Sequence, residues 1–388
     1  MEMSMAYEQI AEAFHPGSFL EEELEARGWS QLDLAEILGK PASDVSLLIT
    51  GKRSITPESA IALGDAFGTG PEYWMNLETA YQLSQAESKN AHVAERAAIY
   101  EHYPVRELVK RRWICATQNV EELKTQILAF YGKSSLTDPF NFYCAERKAT
   151  SYLEDNNMYQ DAWLARARNL SPAVQVVAKF SQSKLKACIC KLKKLMHEPN
   201  EIRHIPKVLA EAGIRLVVVE TLPKTKIDGA TFWLGTKKDK PVIVMSLRYD
   251  RIDNFWFTLF HELSHVANGE GKETPIIDEN LLSDEPTDKP DSEHRADADA
   301  EQACVEPAEL DSFVLRTHPY YVEWKVQGFA SIQKVHPGIV VGQLHHRYSR
   351  SGRGLPHSHL RKLLVKVRRI VIEAALTDGF GYTPSTSI

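Results

Sequence analysis

The sequence predicts a multidomain, mainly α-helical protein with a small β-sheet in its C-terminal half. Three observations predict this fold class. A chain of 388 residues is too long for one ordinary core, so two or three domains are expected. Residues 15–85 and 90–200 place apolar and charged positions at helical period. After Ile214, by contrast, three short apolar runs have the length and composition of buried strands.

Residues 15–85 are predicted to form five short helices. Ser30, followed three residues later by Asp33, has the pattern of a capping box, and Thr56-Pro57 has a capping residue followed by proline at the first helical position. The segments SQLDLAEILG and PASDVSLLITG together have the helix, tight turn and second helix of a helix-turn-helix. The N-terminal domain is therefore expected to be all-helical.

The stretches HPGSFLEEELEARGWSQLDLAEILGK, GKRSITPESAIALGDAFGT and GPEYWMNLETAYQL resemble the HigA-type antitoxin branch of the XRE-like DNA-binding regulators. The resemblance gives residues 1–90 as a DNA-binding domain, often homodimeric, whose third helix enters the major groove of operator DNA. The candidate DNA contacts are Ser43, Asp44, Ser46, Lys52 and Arg53. The two cations are suited to phosphate, and the serines to hydrogen bonds with bases.

The charge of this domain argues against strong electrostatic binding to DNA. Residues 1–90 contain five basic and fifteen acidic side chains, a net charge of −10. Non-specific affinity for DNA comes from phosphate neutralisation, so weak non-specific binding, a shallow salt dependence and a need for two paired half-sites are expected. A helical scaffold retained for contacts with other proteins is the alternative interpretation.

The middle and the end of the chain contain no motif that indicates a binding or catalytic site. Residues 91–200 are interpreted as a helical linker region, and residues 351–388 as a basic C-terminal tail. Residues 345–372 contain eight basic side chains and no acidic one, which suits either contact with DNA or a solvated helix face.

The stretch DNFWFTLFHELSHVANG, residues 253–269, has the strongest chemical signal. His261 and His265 lie one helical turn apart, so both imidazoles project from one face, with Glu262 at its edge. H-E-x-x-H usually indicates a zinc site whose glutamate is the general base of a peptidase. Two core histidines on an amphipathic helix are the alternative.

A third ligand is available downstream, in the helical run EHRADADAEQACV. Glu293 can complete a His₂Glu site with water in the fourth position, the arrangement of catalytic zinc. Asp297, one turn further, is placed to hold a ligand imidazole in the correct tautomer. The alternative is a solvated helix start that follows the acidic stretch from Asp278 to Asp291.

The strand runs IRLVVVE, TFWLG and PVIVMSL precede this helix directly. The segments GATFWLG, PVIVMSLRYDRIDNFWFTLFHELSHVANG and HPGIVVGQLHH, with Glu293 to Asp297, resemble the ImmA/IrrE-type metallopeptidase domain over residues 201–350. The resemblance implies an α+β, zincin-like core with a small sheet. It also implies an endopeptidase that cleaves a partner regulatory protein, such as a cognate toxin or repressor.

In that mechanism zinc is held by His261, His265 and Glu293, and Glu262 is the catalytic base. An oxyanion donor is also needed; the candidates are His318, Tyr320, Tyr321 and His336. A DNA-binding antitoxin or repressor whose metal domain is a non-catalytic sensor or interaction module is the alternative function.

Composition points to a reduced compartment. The five cysteines are scattered and include no C-x-x-C pair, which is typical of free thiols rather than disulfides or zinc ligands. The N-terminus lacks a basic region followed by an apolar run, and no stretch is long enough to span a membrane. We therefore expect a cytoplasmic protein without a membrane partner.

Overall fold

A computed structural model describes residues 14–86, 91–140, 142, 158–279, 281, 290–350 and 358–378. The chain divides into two compact units, residues 1–98 and 99–388. Each unit is built around its own buried apolar residues, as the length of the chain predicted.

The N-terminal unit is all-helical where it is described. Its helices are α1 (Pro16–Arg27), α2 (Gln31–Leu38), α3 (Ala42–Ile49), α4 (Pro57–Phe67) and α5 (Pro71–Ala86), and α6 (Ala91–His102) crosses into the second unit. Leu20, Leu34, Leu63 and Trp74 are fully buried at its centre.

Local sequence signals determine where these helices begin and end. Ser30 accepts the Asp33 amide while the Asp33 side chain accepts the Ser30 amide, so the predicted capping box is confirmed. Thr56 caps α4 in the same way through Ser59, with Pro57 at the first helical position. The starts of α2 and α4 are thereby fixed by hydrogen bonds between residues three apart in the sequence.

The second unit contains the remaining elements. They are α7 (Val105–Lys110), α8 (Val120–Tyr131), α9 (Met158–Leu170), α10 (Gln182–Leu195), α11 (Ile205–Glu211), β1 (Arg215–Val218), β2 (Ile227–Leu234), β3 (Lys240–Met245), α12 (Ile252–Asn268), β4 (Ile276–Glu279), α13 (Asp291–Cys304), α14 (Pro307–Thr317), α15 (Glu323–Gln333), α16 (Pro337–Arg350), α17 (Arg368–Ala374) and β5 (Leu376–Thr377). Short 3₁₀ helices span Ser171–Ala173, Pro199–His204 and Ser358–Leu363.

The five strands form one mixed sheet in the order β4-β2-β3-β1-β5. β1 is parallel to β3 and β5, while β2 is antiparallel to β3 and β4. The three predicted strand runs correspond to β1, β2 and β3; β4 and β5 were not predicted. Both added strands are short and lie at the edges of the sheet.

Both faces of the sheet are covered by helices, which explains why the β1 run is apolar without alternation. Leu216 and Val218 pack in one buried cluster with α12, and Val217 and Val219 pack in another with α8 and α9. Successive side chains of a strand point to opposite faces, so each apolar residue from Leu216 to Val219 meets a core.

The structure corrects the expected boundaries at residues 200 and 350. The region 91–200 is not a linker, because α7–α9 supply the cluster on one face of the sheet. Trp163 Nε1 also donates a hydrogen bond to Val219 O at 2.9 Å. Within the expected tail 351–388, only residues 358–378 are described, and there Leu376 of β5 pairs with Val217 of β1. Residues 99–388 therefore form one unit.

None of the helices in the described part of the chain is long and apolar enough to cross a membrane. Of the five cysteines, Cys144 lies outside the described residues, and Cys115, Cys188, Cys190 and Cys304 are free thiols.

Candidate metal centre and helix-turn-helix surface

Helix α12 brings two imidazoles together inside the second unit. His261 and His265 are both fully buried, and their Nε2 atoms lie 3.1 Å apart. The helix begins at Ile252 and ends at Asn268, where Gly269 adopts a left-handed conformation (φ 70°). This is the helix that the sequence predicted, and its i, i+4 spacing places both rings on one face.

Two carboxylates from other elements meet the same pair of nitrogens. Glu293 of α13 lies with Oε2 3.2 Å from His261 Nε2 and Oε1 3.6 Å from His265 Nε2. Asp278 of β4 lies with Oδ2 3.3 Å from His261 Nε2 and 3.6 Å from His265 Nε2. The four residues form a His/Asp/Glu cluster that could hold a metal ion.

The donors lie close enough together to surround one cation, since one ligand atom from each of the four residues lies within 4.8 Å of the others. Zinc–nitrogen bonds of about 2.0–2.1 Å at tetrahedral angles place ligand atoms about 3.3 Å apart. The distances quoted above run from 3.1 to 3.6 Å. Asp278 Oδ2 is buried and receives no hydrogen bond from the described residues. The Asp278 and Glu293 carboxylates bring two negative charges to a buried pair of imidazoles, and a divalent cation would balance them.

The outer nitrogen of each imidazole also has an acidic neighbour. Asp297 Oδ1 lies 3.1 Å from His261 Nδ1, and Glu270 Oε2 lies 2.6 Å from His265 Nδ1. Arg295 forms an ion pair with the other oxygen of Glu270. A protonated Nδ1 held by a carboxylate leaves Nε2 with its lone pair directed at the cluster, the tautomer that metal binding requires.

The electrostatics of the cluster favour positive charge at its centre. Burial alone would lower the pKa of His261, but the Asp278, Asp297 and Glu293 carboxylates raise it well above the ordinary value. Burial would likewise raise the pKa of Glu293, but hydrogen bonds with His261 and His265 outweigh burial and hold that pKa well below its usual range.

Glu262 lies beside the cluster in a closely fitted space. Thr231 of β2 donates a hydrogen bond to Glu262 Oε2 at 2.6 Å, while Oε1 receives none from the described residues. A Cβ on Gly229 would stand 2.0 Å from Oε1, so the strand can approach this carboxylate only through a glycine. Burial, followed by the Asp278 charge, raises the pKa of Glu262 well above its usual range.

The structure brings the predicted site residues His261, His265 and Glu293 together, with Glu262 and Asp297 adjacent. Sequence reasoning missed Asp278, which it assigned to a solvated acidic stretch; this residue is in fact 3% exposed. The signal was the Ile276-Ile277 pair before it, which indicates a strand that carries the acid into the interior.

Two oxyanion candidates have partners outside the four donors. Tyr321 Oη lies 2.6 Å from Tyr348 Oη, and His336 Nδ1 accepts a hydrogen bond from the Gly338 amide at 3.1 Å. Of the other two, Tyr320 is 73% exposed, and the His318 ring stacks on Tyr348. The choice of an oxyanion donor stays open.

We expect Glu293→Ala to lower metal affinity far more than Asp297→Ala does, because the Glu293 carboxylate faces both Nε2 atoms whereas Asp297 faces His261 Nδ1. Asp297→Ala should cost about 10–100-fold, the usual effect of removing a group that orients a ligand. A chelator competition titration measures both, with the exposed Asp291→Ala as control. The reverse ranking would move the ligand one turn along α13.

The candidate DNA contacts lie on and after α3. Ser43, Lys52 and Arg53 are exposed, while Asp44 and Ser46 are partly buried. The Lys52 and Arg53 amides both donate to Leu47 O at 3.0 Å, which folds the loop back onto the end of α3. One of the two cations is already paired, since Arg53 Nη1 lies 2.8 Å from Asp44 Oδ2. This ion pair further reduces the charge available for phosphate.

Comparison with known proteins identifies the N-terminal part of the chain. The helix-turn-helix family matches residues 20–74. The uncharacterized HTH-type transcriptional regulator YddM of Escherichia coli K12 is 38% identical over 72 residues, which are 19% of this chain and 77% of that protein. A solved HigA-family addiction module antidote protein from Coxiella burnetii is 39% identical and covers 22% of this chain and 92% of its own, with a TM-score of 0.21. PA4674 from Pseudomonas aeruginosa, solved with its operator DNA, is 33% identical over 22% of this chain and 94% of its own, with a TM-score of 0.21.

Proposed function

Because this chain belongs to the helix-turn-helix transcriptional regulators, through its N-terminal domain, we propose that it is a DNA-binding regulator whose second unit is a zinc-dependent endopeptidase. It acts as a homodimer on operator DNA. The peptidase cleaves a partner regulatory protein, of the kind that a cognate toxin or repressor would be, and this cleavage changes transcription.

The observation that carries the peptidase proposal is the convergence of four metal-ligating side chains at an H-E-x-x-H helix. His261, His265 and Glu293 have the residue types of catalytic zinc sites. Glu262 adds a fully buried carboxylate that the cation does not need as a ligand. Burying a carboxylate costs free energy, so we assign Glu262 a catalytic role.

When bound, zinc supplies an acidified water and polarises the peptide carbonyl. The residues of the chain hold the general base and transfer the proton. Thr231 holds Glu262 by Oε2, which leaves Oε1 free to take the proton of the attacking water and deliver it to the leaving amine. A cation held by these residues would lower the pKa of the Glu262 carboxyl group and so favour its base form.

Incubation of the purified chain with a proteome-derived peptide library tests the peptidase. New N-termini should appear, should disappear after treatment with a zinc chelator, and should return when zinc is restored. Metal analysis of the same sample should give about one zinc per chain. A chain that contains no stoichiometric transition metal, or that cleaves equally after chelation, would refute the proposal.

The DNA-binding part makes a separate prediction. Asp44→Asn should release Arg53 and remove a negative charge facing the phosphates, so affinity for duplex DNA should rise about 3- to 10-fold at low salt. The slope of log affinity against log salt should steepen by about 0.9, the value for one more phosphate contact. Fluorescence anisotropy at several salt concentrations measures both, with Asp65→Asn, an exposed aspartate of α4, as control. Weaker binding by Asp44→Asn would mean that Asp44 itself contacts DNA.

A second function is favoured by Asp278. Four protein donors and no open position are characteristic of structural zinc, whereas catalytic zinc keeps one position for water. A metal-dependent sensor or interaction module without turnover would need only this closed set. In the sensor or interaction module Asp278 would stay bound to the metal, whereas in the peptidase it would have to leave so that water can bind.

A further inference from the structure

We propose that strand β4 is an internal occupant of the peptidase site: it lies where an extended peptide substrate would bind, and Asp278 closes the fourth metal position. The chain then cleaves only slowly and becomes fully active when β4 leaves β2. This inference rests on the proposed metal-dependent function. It explains how one site can have four protein ligands, as structural zinc does, and also a catalytic glutamate.

The position of β4 in the sheet supports this inference. β4 is the edge strand beside β2, and β2 carries Gly229 and Thr231, the two residues in contact with Glu262. β4 runs antiparallel to β2, with Asp278 opposite Gly229 and Ile276 opposite Thr231. Without β4, the backbone amides and carbonyls of β2 would form a free edge along the metal site. Such an edge binds extended peptides by strand addition.

Asp278 occupies the position that a reacting water needs. Its Oδ2 lies 3.3 and 3.6 Å from the two Nε2 atoms, on a par with the 3.2 and 3.6 Å of Glu293. A cation bound by all four donors has its tetrahedral positions filled by protein, so neither water nor a carbonyl oxygen can bind without displacing a ligand. Asp278 is the natural ligand to leave, because it comes from an edge strand and the other three come from helices α12 and α13.

The attachment of β4 is weak enough to be reversible. The strand has four residues, of which only Asp278 is buried; Ile276 and Ile277 are partly buried, and Glu279 is exposed. The pairing with β2 is also irregular, since the register shifts between Ile227 and Gly229. Besides its pairing with β2, β4 is held by Asp278, by the Glu279 side chain, which accepts a hydrogen bond from Gln160 Nε2 at 2.7 Å, and by the neighbouring Leu281 anchor.

That anchor is well formed. The Leu281 amide donates a hydrogen bond to Asp228 Oδ2 at 2.9 Å, and the Leu281 side chain is 2% exposed. Asp228 is the extra residue of a β-bulge in β2, between Ile227 and Gly229. The bulge turns the Asp228 carboxylate towards Leu281. β4 can thus separate from β2 while Leu281 stays bound to Asp228.

The test uses the full chain with cobalt in place of zinc and acetohydroxamate as a probe for an open metal position. In the wild type, the visible cobalt absorption should respond only at high hydroxamate concentration. In Asp278→Ala, binding should be tighter by about 100-fold, the factor expected if the closed form is favoured about 100 to 1. Asp278→Asn should behave similarly and keeps the size of the side chain. Glu273→Ala, an exposed acid in the loop before β4, should match the wild type.

Equal hydroxamate affinity in wild type and Asp278→Ala would overturn the inference while leaving the metal site intact. Loss of cobalt from both folded Asp278 variants would overturn it as well, because Asp278 would then be an obligatory ligand. Tighter hydroxamate binding without any cleavage of the peptide library would support the inference and refute the peptidase proposal instead. Failure of this inference and failure of the peptidase proposal therefore give different experimental results.

Discussion

Replacing His261 by alanine should remove the metal from the second unit. Apparent binding free energies of structural zinc are about 10–16 kcal/mol, so one of four ligands contributes roughly 3–4 kcal/mol, or about 10²–10³-fold in affinity. His261 is chosen because its Nε2 lies 3.3 and 3.2 Å from the Asp278 and Glu293 carboxylates, nearer than the 3.6 Å of His265 Nε2. Zinc per chain, measured after dialysis against a weak chelator, should fall from about one to near zero.

His294→Ala is the matched control, because His294 is next to Glu293 on α13 but is exposed. It should keep full zinc content. Thermal unfolding adds a second readout: excess zinc should raise the Tm of the wild type and of His294→Ala but not that of His261→Ala, since a ligand stabilises only a fold that binds it. Equal zinc content in the two variants would mean that the cluster is a set of core histidines and acids rather than a metal site.

Replacing Glu262 by glutamine should leave zinc in place and abolish peptide cleavage. The amide preserves the size of the side chain and its contact with Thr231 but cannot accept a proton. General-base catalysis contributes about 10²–10⁴-fold, and the rate should fall by that factor. The measurement is clearest in the Asp278→Ala background, where the open form predominates.

The matched control for this prediction is Glu309→Gln, an exposed acid-to-amide change on α14. It should cleave the library at the rate of its parent. If the Glu262→Gln chain cleaves as fast as its parent while retaining zinc, then Glu262 is not the base and the second unit is better interpreted as a metal-dependent sensor.

The sequence by itself determined what depends on neighbouring residues. Ser30 with Asp33, and Thr56 with Pro57, define helix starts because capping bonds span only three residues. The shared face of His261 and His265 follows from helical geometry alone. The same reasoning brought Glu293 and Asp297 onto one face of α13, and the structure places both within 3.2 Å of His261.

The tertiary structure alone decided what depends on distant segments meeting. Trp163 reaches Val219 because α9 covers a face of the sheet, which turns the expected linker into part of the second unit. Asp278 reaches the metal ligands because β4 pairs antiparallel to β2 in a register that sets it opposite Gly229. A shift of one residue would point it away from the metal. Sequence periodicity predicts which face of its own strand or helix a residue occupies. It cannot predict that Asp278 joins His261, His265 and Glu293, because that depends on how β4 packs against β2, α12 and α13.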